Sequence, residues 1–155
     1  VQPLCRQIAL IDTYRQSSLP TNSQLLIDDP QNRLLARGPR QRLSAEMVRD
    51  QALLVGGLLS PKMGGPPTRP WQPDSLYEDS GIQVAYQPDT GENLWRRAVY
   101  TYWKRTLPPP AMSVFDAPTR EFCRVRREQT NTPLQALALM NHPDYLTACR
   151  ALRNN

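Results

Sequence analysis

Residues 43–59 read LSAEMVRDQALLVGGLL, and this string predicts a helix over Ala45–Leu59. Ser44 stands at the N-cap, and Leu43 is placed to staple against Val48. Glu46 and Asp50 put carboxylates in the early turns, where the helix dipole favours them, and Gly56-Gly57 weaken the final turn. The spacing sets Met47, Gln51, Leu54, Val55 and Leu58 on one face, the pattern of a helix packed against other elements.

On either side the pattern stays helical. Leu4, Ile8, Ile11 and Tyr14 recur every three or four residues, which predicts a helix from Leu4 to Ser17. Residues 18–28 are polar and irregular. Asp29-Pro30 then offers a cap and a first-turn proline for a short helix through Arg37, which Gly38-Pro39 ends. Ser60–Pro73 holds five prolines and two glycines, so it reads as an extended loop, with Met63 and Trp71 as its anchors. Asp74–Asp79 suits one helical turn, and Ile82–Tyr86 a short strand or extended segment. The pairs Leu94/Trp95, Ala98/Val99 and Tyr102/Trp103 repeat every four residues, as on an amphipathic helix. Their Trp, Tyr and Val content keeps a hairpin with Ile82–Tyr86 open as an alternative.

Leu107-Pro108-Pro109-Pro110 stops that element, and Phe115-Asp116-Ala117-Pro118 shows no helical pattern. Thr132-Pro133-Leu134-Gln135 is a capping box with proline at the first helical position. It opens a helix that carries Leu134, Leu137, Ala138 and Met140. Asn141-His142-Pro143 breaks that helix, and Tyr145–Leu152 forms the last one. The expected fold is mainly α, with four or five helices, long proline-rich loops and at most a short β element.

The chain has 155 residues, 16 of them proline, and carries a net charge of +5. One core of ordinary size is expected, hence one domain over 1–155. The 19 basic residues are 17 Arg and 2 Lys, a skew toward guanidinium forks that suit carboxylates, sulfates, phosphates and structural ion pairs. A basic balance also suits nucleic acid, but no helix-turn-helix, RNP or zinc-finger pattern is present, which argues against that partner. Cys5, Cys123 and Cys149 form no CxxC, haem or zinc spacing. No metal centre and no cofactor are expected in this segment, and the odd count without short spacing argues for buried thiols over one disulfide with a thiol left over. No apolar run approaches a membrane span.

The single histidine, His142, sits between a helix stop and a proline, where capping is its natural role. There is no GxSxG elbow, no HExxH and no phosphate-binding glycine loop. Glu46 is expected to compensate the helix dipole with Arg49 as a surface partner. Two arginine clusters, Arg33/Arg37/Arg40/Arg42 and Arg120/Arg124/Arg126/Arg127, can either hold an anion or pair with carboxylates. The second adjoins Asp116, which is within reach of Arg120 across a turn, and the capped helix start at Thr132. The aromatic set Trp71, Tyr77, Trp95, Tyr100, Tyr102 and Trp103 reads either as a sugar-stacking surface or as the inner face of a helix.

Several strings, taken in order, resemble a known family: residues 13–18 (TYRQSS), 32–39 (NRLLARGP), 42–50 (RLSAEMVRD), 115–118 (FDAP) and 130–137 (TNTPLQAL). They are similar to the C-terminal planctomycete-type domain of unknown function that accompanies planctomycete cytochrome c domains. The resemblance implies further helices before Val1 and after Asn155, so the chain is expected to be a fragment cut at both ends. It also implies an exported or periplasmic multidomain protein, a haem in another domain, and a link to the breakdown of sulfated polysaccharides. Two functions follow as expectations. One is a non-catalytic scaffold that packs against other domains of the same polypeptide and binds an anionic polysaccharide. The other is an enzyme of unassigned chemistry whose site gathers Asp116, Arg120, Arg127 and Asn131 with Arg42 and Glu46.

Overall fold

The computed structural model describes residues 1–20, 22–76 and 86–154. Val1–Arg42 and Leu43–Asn155 form two compact units. The architecture is mainly helical. Seven α-helices have their bounds among the described residues, and no sheet forms there.

In the first unit the helix expected over Leu4–Ser17 is two pieces, α1 (Gln2–Leu10) and α2 (Asp12–Arg15). β-Branched Ile11 takes an extended backbone, φ −69° and ψ 136°, between them. Leu4, Ile8 and Ile11 are all exposed, so the apolar stripe of this segment is uncovered. The next helix, α3 (Gln24–Asp28), falls where an irregular stretch was expected, and residues 29–37, expected helical, are turns. Pro30 disfavours helical backbone at Asp29, and the Asp29 carboxylate closes a loop by accepting the N–H groups of Arg33 at 2.9 Å and Leu34 at 2.8 Å. Those two bonds hold its carboxyl below the usual range. Arg37 ties the loop by donating to the carbonyls of Leu25, Asp29 and Pro30.

The second unit begins with α4 (Ala45–Val55), whose Ser44 Oγ accepts the Met47 N–H at 3.4 Å. The helix ends before Leu59 because Gly57 turns to φ +69°. Its buried stripe is Ala45, Arg49 and Leu53, whereas Met47, Leu54 and Val55, on the face expected inward, are exposed. The reason is close approach. A Cβ on Gly56, the C-cap of α4, would stand 2.7 Å from the Ala148 carbonyl oxygen, so the missing side chain lets the last helix come this near on that side.

No helix forms over residues 94–103. A 3-10 turn at Gly91–Asn93 precedes this stretch, Leu94 and Trp95 continue the turn, and the rest is extended apart from a 3-10 turn at Ala98–Tyr100. The proline-rich loop lies along it through isolated parallel bridges, Ser60 with Arg96 and Thr68 with Thr101. Ser60 N–H donates to Trp95 O at 2.9 Å, Thr68 N–H to Tyr100 O at 2.8 Å, and Tyr102 N–H back to Thr68 O at 2.7 Å. β-Favouring side chains explain the preference for extended backbone, but the partner is the loop. Of the expected strand, residues 82–85 lie outside the described residues; Tyr86 donates its hydroxyl to Pro70 O at 2.7 Å. Ser60, Thr68, Pro70 and Gln72 anchor the loop, and Met63 is 73% exposed.

Three helices complete the unit: α5 (Pro110–Ser113), α6 (Pro133–Asn141) and α7 (Pro143–Asn154). The capping box at Thr132 and Gln135 forms as expected. On α6, however, the buried residue is Gln135, while Leu134, Leu137 and Met140 are exposed. The core gathers Ala45, Ala98, Met112, Phe115 and Tyr145, with Val48, Ala52, Trp103, Val114, Ala117 and Ala138 packed around it. No described helix is long and apolar enough to cross a membrane.

Candidate functional site

Of the residues nominated from sequence, Glu46 meets Arg127, and Asp116 bonds Thr130, the chain neighbour of Asn131. Glu46, near the start of α4, is bound by Arg127 Nη1 at 2.7 Å. Burial opposes its charge, but hydrogen bonds from Arg127, its own backbone and Ser44 prevail and leave its carboxyl below the usual value. The expected partner, Arg49, points the other way into the core, because it sits on the Ala45–Leu53 stripe. Asp116 adopts φ +60° and accepts the Thr130 N–H at 2.7 Å and the Thr130 hydroxyl at 2.8 Å. Gln135 Nε2 reaches the same carboxylate at 3.4 Å. Arg120, at φ +65°, lays its guanidinium 4.4 Å from the centre of the Trp103 ring. Asn131 is exposed between Thr130 and Thr132, and Arg42 is exposed at the end of the first unit.

Three further arginines lie against aromatic rings. Arg96 lies 4.2 Å from the Tyr100 ring centre, Arg69 5.5 Å from that of Tyr102, and Arg124 4.9 Å from that of Phe122. Arg124 also binds Glu128 at 2.7 Å. Of the aromatic residues nominated for stacking, Tyr77 lies outside the described residues. The three cysteines are free thiols and all exposed, not buried. Cys5 is on α1, where every side chain faces outward, and Cys149 lines an open groove.

Sequence reasoning missed the strongest polar cluster. Arg49 of α4 places Nε 3.4 Å from Asp144 Oδ2 at the start of α7, with both side chains 5% exposed. Its remaining donors reach Arg96 O at 2.8 Å and Leu94 O at 2.9 Å. One guanidinium therefore fastens α4, α7 and the extended segment. The signal was present as the four-residue spacing Ala45, Arg49, Leu53, which an Arg within a stripe disguises.

His142 caps α7 in the manner expected, accepting the Asp144 N–H on Nδ1 at 3.3 Å. It sits edge-on to Trp71, ring centres 5.4 Å apart, and tilted against Tyr145 at 5.4 Å. Burial pushes its pKa down, Asp144 opposes that push, and Arg49 adds to it. Burial likewise raises the Tyr145 hydroxyl to about 12. Beside them Gln72 is 3% exposed, and its Oε1 has no hydrogen-bond partner. The cleft between these groups has a volume of about 10 Å³, the limit for one water, and no Ser, Thr or Cys lines it. A carboxylate matched by a guanidinium whose other donors are spent on carbonyls acts here as a fastening between segments. Among the described residues no three His, Cys, Asp or Glu side chains gather to hold a metal ion.

Fold and site together define a mainly helical module stapled by buried arginines. A family model, PSD1, described as a protein of unknown function (DUF1553), matches residues 1–155, and the chain belongs to that family. No curated protein and no solved structure was found to match it.

Proposed function

We propose that the chain is a non-catalytic interaction module of an exported, multidomain polypeptide, packing against other domains of that polypeptide and holding an anionic polysaccharide on its basic surface. The observation that carries this reading is an open apolar groove of about 470 Å³ between α4 and α7. Leu43, Val48, Val55, Leu139 and Leu152 are among its lining, and Leu54 and Met47 are exposed on the same helix. Apolar surface gathered in this way marks an interaction site in folded proteins. The polysaccharide part rests on exposed Arg33 and Arg40 in the first unit and, separately, on exposed Arg126 in the second. On this reading the segment works without its own cofactor, and a haem belongs to another domain.

The alternative, an enzyme built on Asp116, Arg120, Arg127, Asn131, Arg42 and Glu46, is less well supported. Glu46 is neutralised by Arg127, and Asp116 is engaged by Thr130 and Gln135. Hydrogen exchange measured on the whole polypeptide and on residues 1–155 alone tests the docking. Protection of α4 and α7 gained only in the whole polypeptide is expected; identical exchange sinks the reading. Binding to heparin or polygalacturonate that weakens with salt tests the polysaccharide part, and its absence removes that part alone.

A further inference from the structure

Arg96 is the largest fully buried side chain, 1% exposed. Its partners are neutral. Nη1 and Nη2 donate to the carbonyls of Pro66 and Gly64, the guanidinium faces Tyr100, and Nε has no partner. Among the described residues no carboxylate comes within ion-pair distance of it, unlike Arg49, which has Asp144. A buried cation without a counter-charge is costly, and carbonyl dipoles offset only part of that cost.

A pocket of about 180 Å³ opens beside this group, lined by Pro66, Pro67, Arg69, Asp89, Asn93 and Arg96. Gly64 and Gly65, at φ +70° and +88°, make the turn that folds the carbonyls over the guanidinium. Asp89 is the one carboxylate of the lining. Its Oδ2 accepts the Arg69 N–H at 2.8 Å, and its own N–H donates to Arg69 O at 2.9 Å, so the two residues hold each other's backbone. Two guanidinium groups against one carboxylate leave the pocket positive.

We infer that this pocket is a binding site for a single oxyanion group, a carboxylate or a sulfate or phosphate, on a small ligand. Arg96, almost fully buried in the lining, supplies positive charge that water screens less than it does a surface arginine. Arg69 and the Asn93 amide, both exposed, supply the hydrogen bonds. The volume is below that of ordinary ligand pockets, which suits one charged group with a few attached atoms. None of these residues belongs to the clusters nominated from sequence, and the site stands whether or not the apolar groove docks a neighbouring domain.

Titration calorimetry on the intact chain tests the site with sodium sulfate, phosphate and acetate, each against sodium chloride at matched ionic strength. Saturable binding of one oxyanion per chain, above the chloride response, is expected. Sulfate or phosphate binding without acetate binding assigns a tetrahedral ester, and the reverse assigns a carboxylate; either supports the site. Arg69→Gln should weaken binding about tenfold or more, the factor carried by one charge-assisted hydrogen bond. Asn93→Ala should weaken it less. Both positions are exposed, and unchanged melting temperatures without ligand will confirm that both variants fold. No response beyond chloride, or equal affinity in Arg69→Gln, overturns the assignment.

Discussion

Arg49 and Asp144 meet at 3.4 Å inside the second unit although 95 positions separate them in the chain. Replacing Asp144 with Ala leaves the guanidinium buried and uncompensated, which should cost about 3–5 kcal/mol. Arg49→Met should cost a similar amount, because it also strands the carbonyls of Leu94 and Arg96. Pairing Arg49→Met with the same Asp144→Ala should recover part of the summed loss. Urea unfolding measures all three, and strict additivity of the single losses would contradict the clamp.

His142 sets a pH dependence. Its folded pKa lies below the ordinary 6.5, first because of burial. Below 6.5 the unfolded chain takes up a proton that the folded chain resists, so stability present above that pH is lost as pH falls. The melting temperature should therefore drop as pH falls through 6.5 toward the lower folded pKa. His142→Asn keeps an acceptor for the Asp144 N–H and should flatten that interval; an unchanged slope would place the effect elsewhere.

Glu46 acts lower on the scale. Its folded pKa is below 4.5, so its contribution is full above that value and lost as pH falls through the folded pKa. Arg127→Gln should shrink the acid-induced loss below pH ~4.5 and leave the His142 interval unaffected. Each part is read from one melting profile.

Gly56→Ala tests the contact between α4 and α7. At φ −73° alanine is allowed, and in open space it would stabilise the helix end. Here the new methyl meets the Ala148 oxygen at 2.7 Å and its Cα at 3.1 Å. Overpacking of this kind should cost about 1–3 kcal/mol. A stabilised variant would show that the two helices separate without penalty.

Gln135 is buried, with Nε2 donating to Val114 O at 2.9 Å and Oε1 accepting the Thr132 N–H at 3.4 Å. Gln135→Leu should cost about 1–3 kcal/mol by leaving both groups unmet. Gln135→Glu keeps the acceptor but sets a carboxylate beside Asp116, so its penalty should ease as pH falls. A pH-independent penalty would mean the Asp116 contact has no electrostatic weight.

Apart from Asp29-Pro30, which opens no helix, caps and breakers were legible because they act locally. Ser44, the Thr132–Gln135 box and His142-Pro143 each bond or obstruct within four residues, and all three behave as their spacing implies. Facing was not legible. Met47, Leu54, Leu137 and Met140 have the periodicity of core residues, yet the fold buries Arg49 and Gln135 instead. Both are satisfied by carbonyls from distant segments, which no helical window contains. The Leu94–Trp103 segment failed for the same reason: its four-residue repeat is real, but the loop at Ser60 and Thr68 pairs with its backbone.

Sequence alone determined that this chain is mainly helical and where several helices begin and break, since propensity, capping and proline obstruction need only neighbouring residues. Tertiary structure decided which faces are covered, that Arg49 finds Asp144, and that Arg96 is enclosed beside a positive pocket. Burial and charge pairing depend on what arrives from elsewhere in the chain, and periodicity carries no record of that.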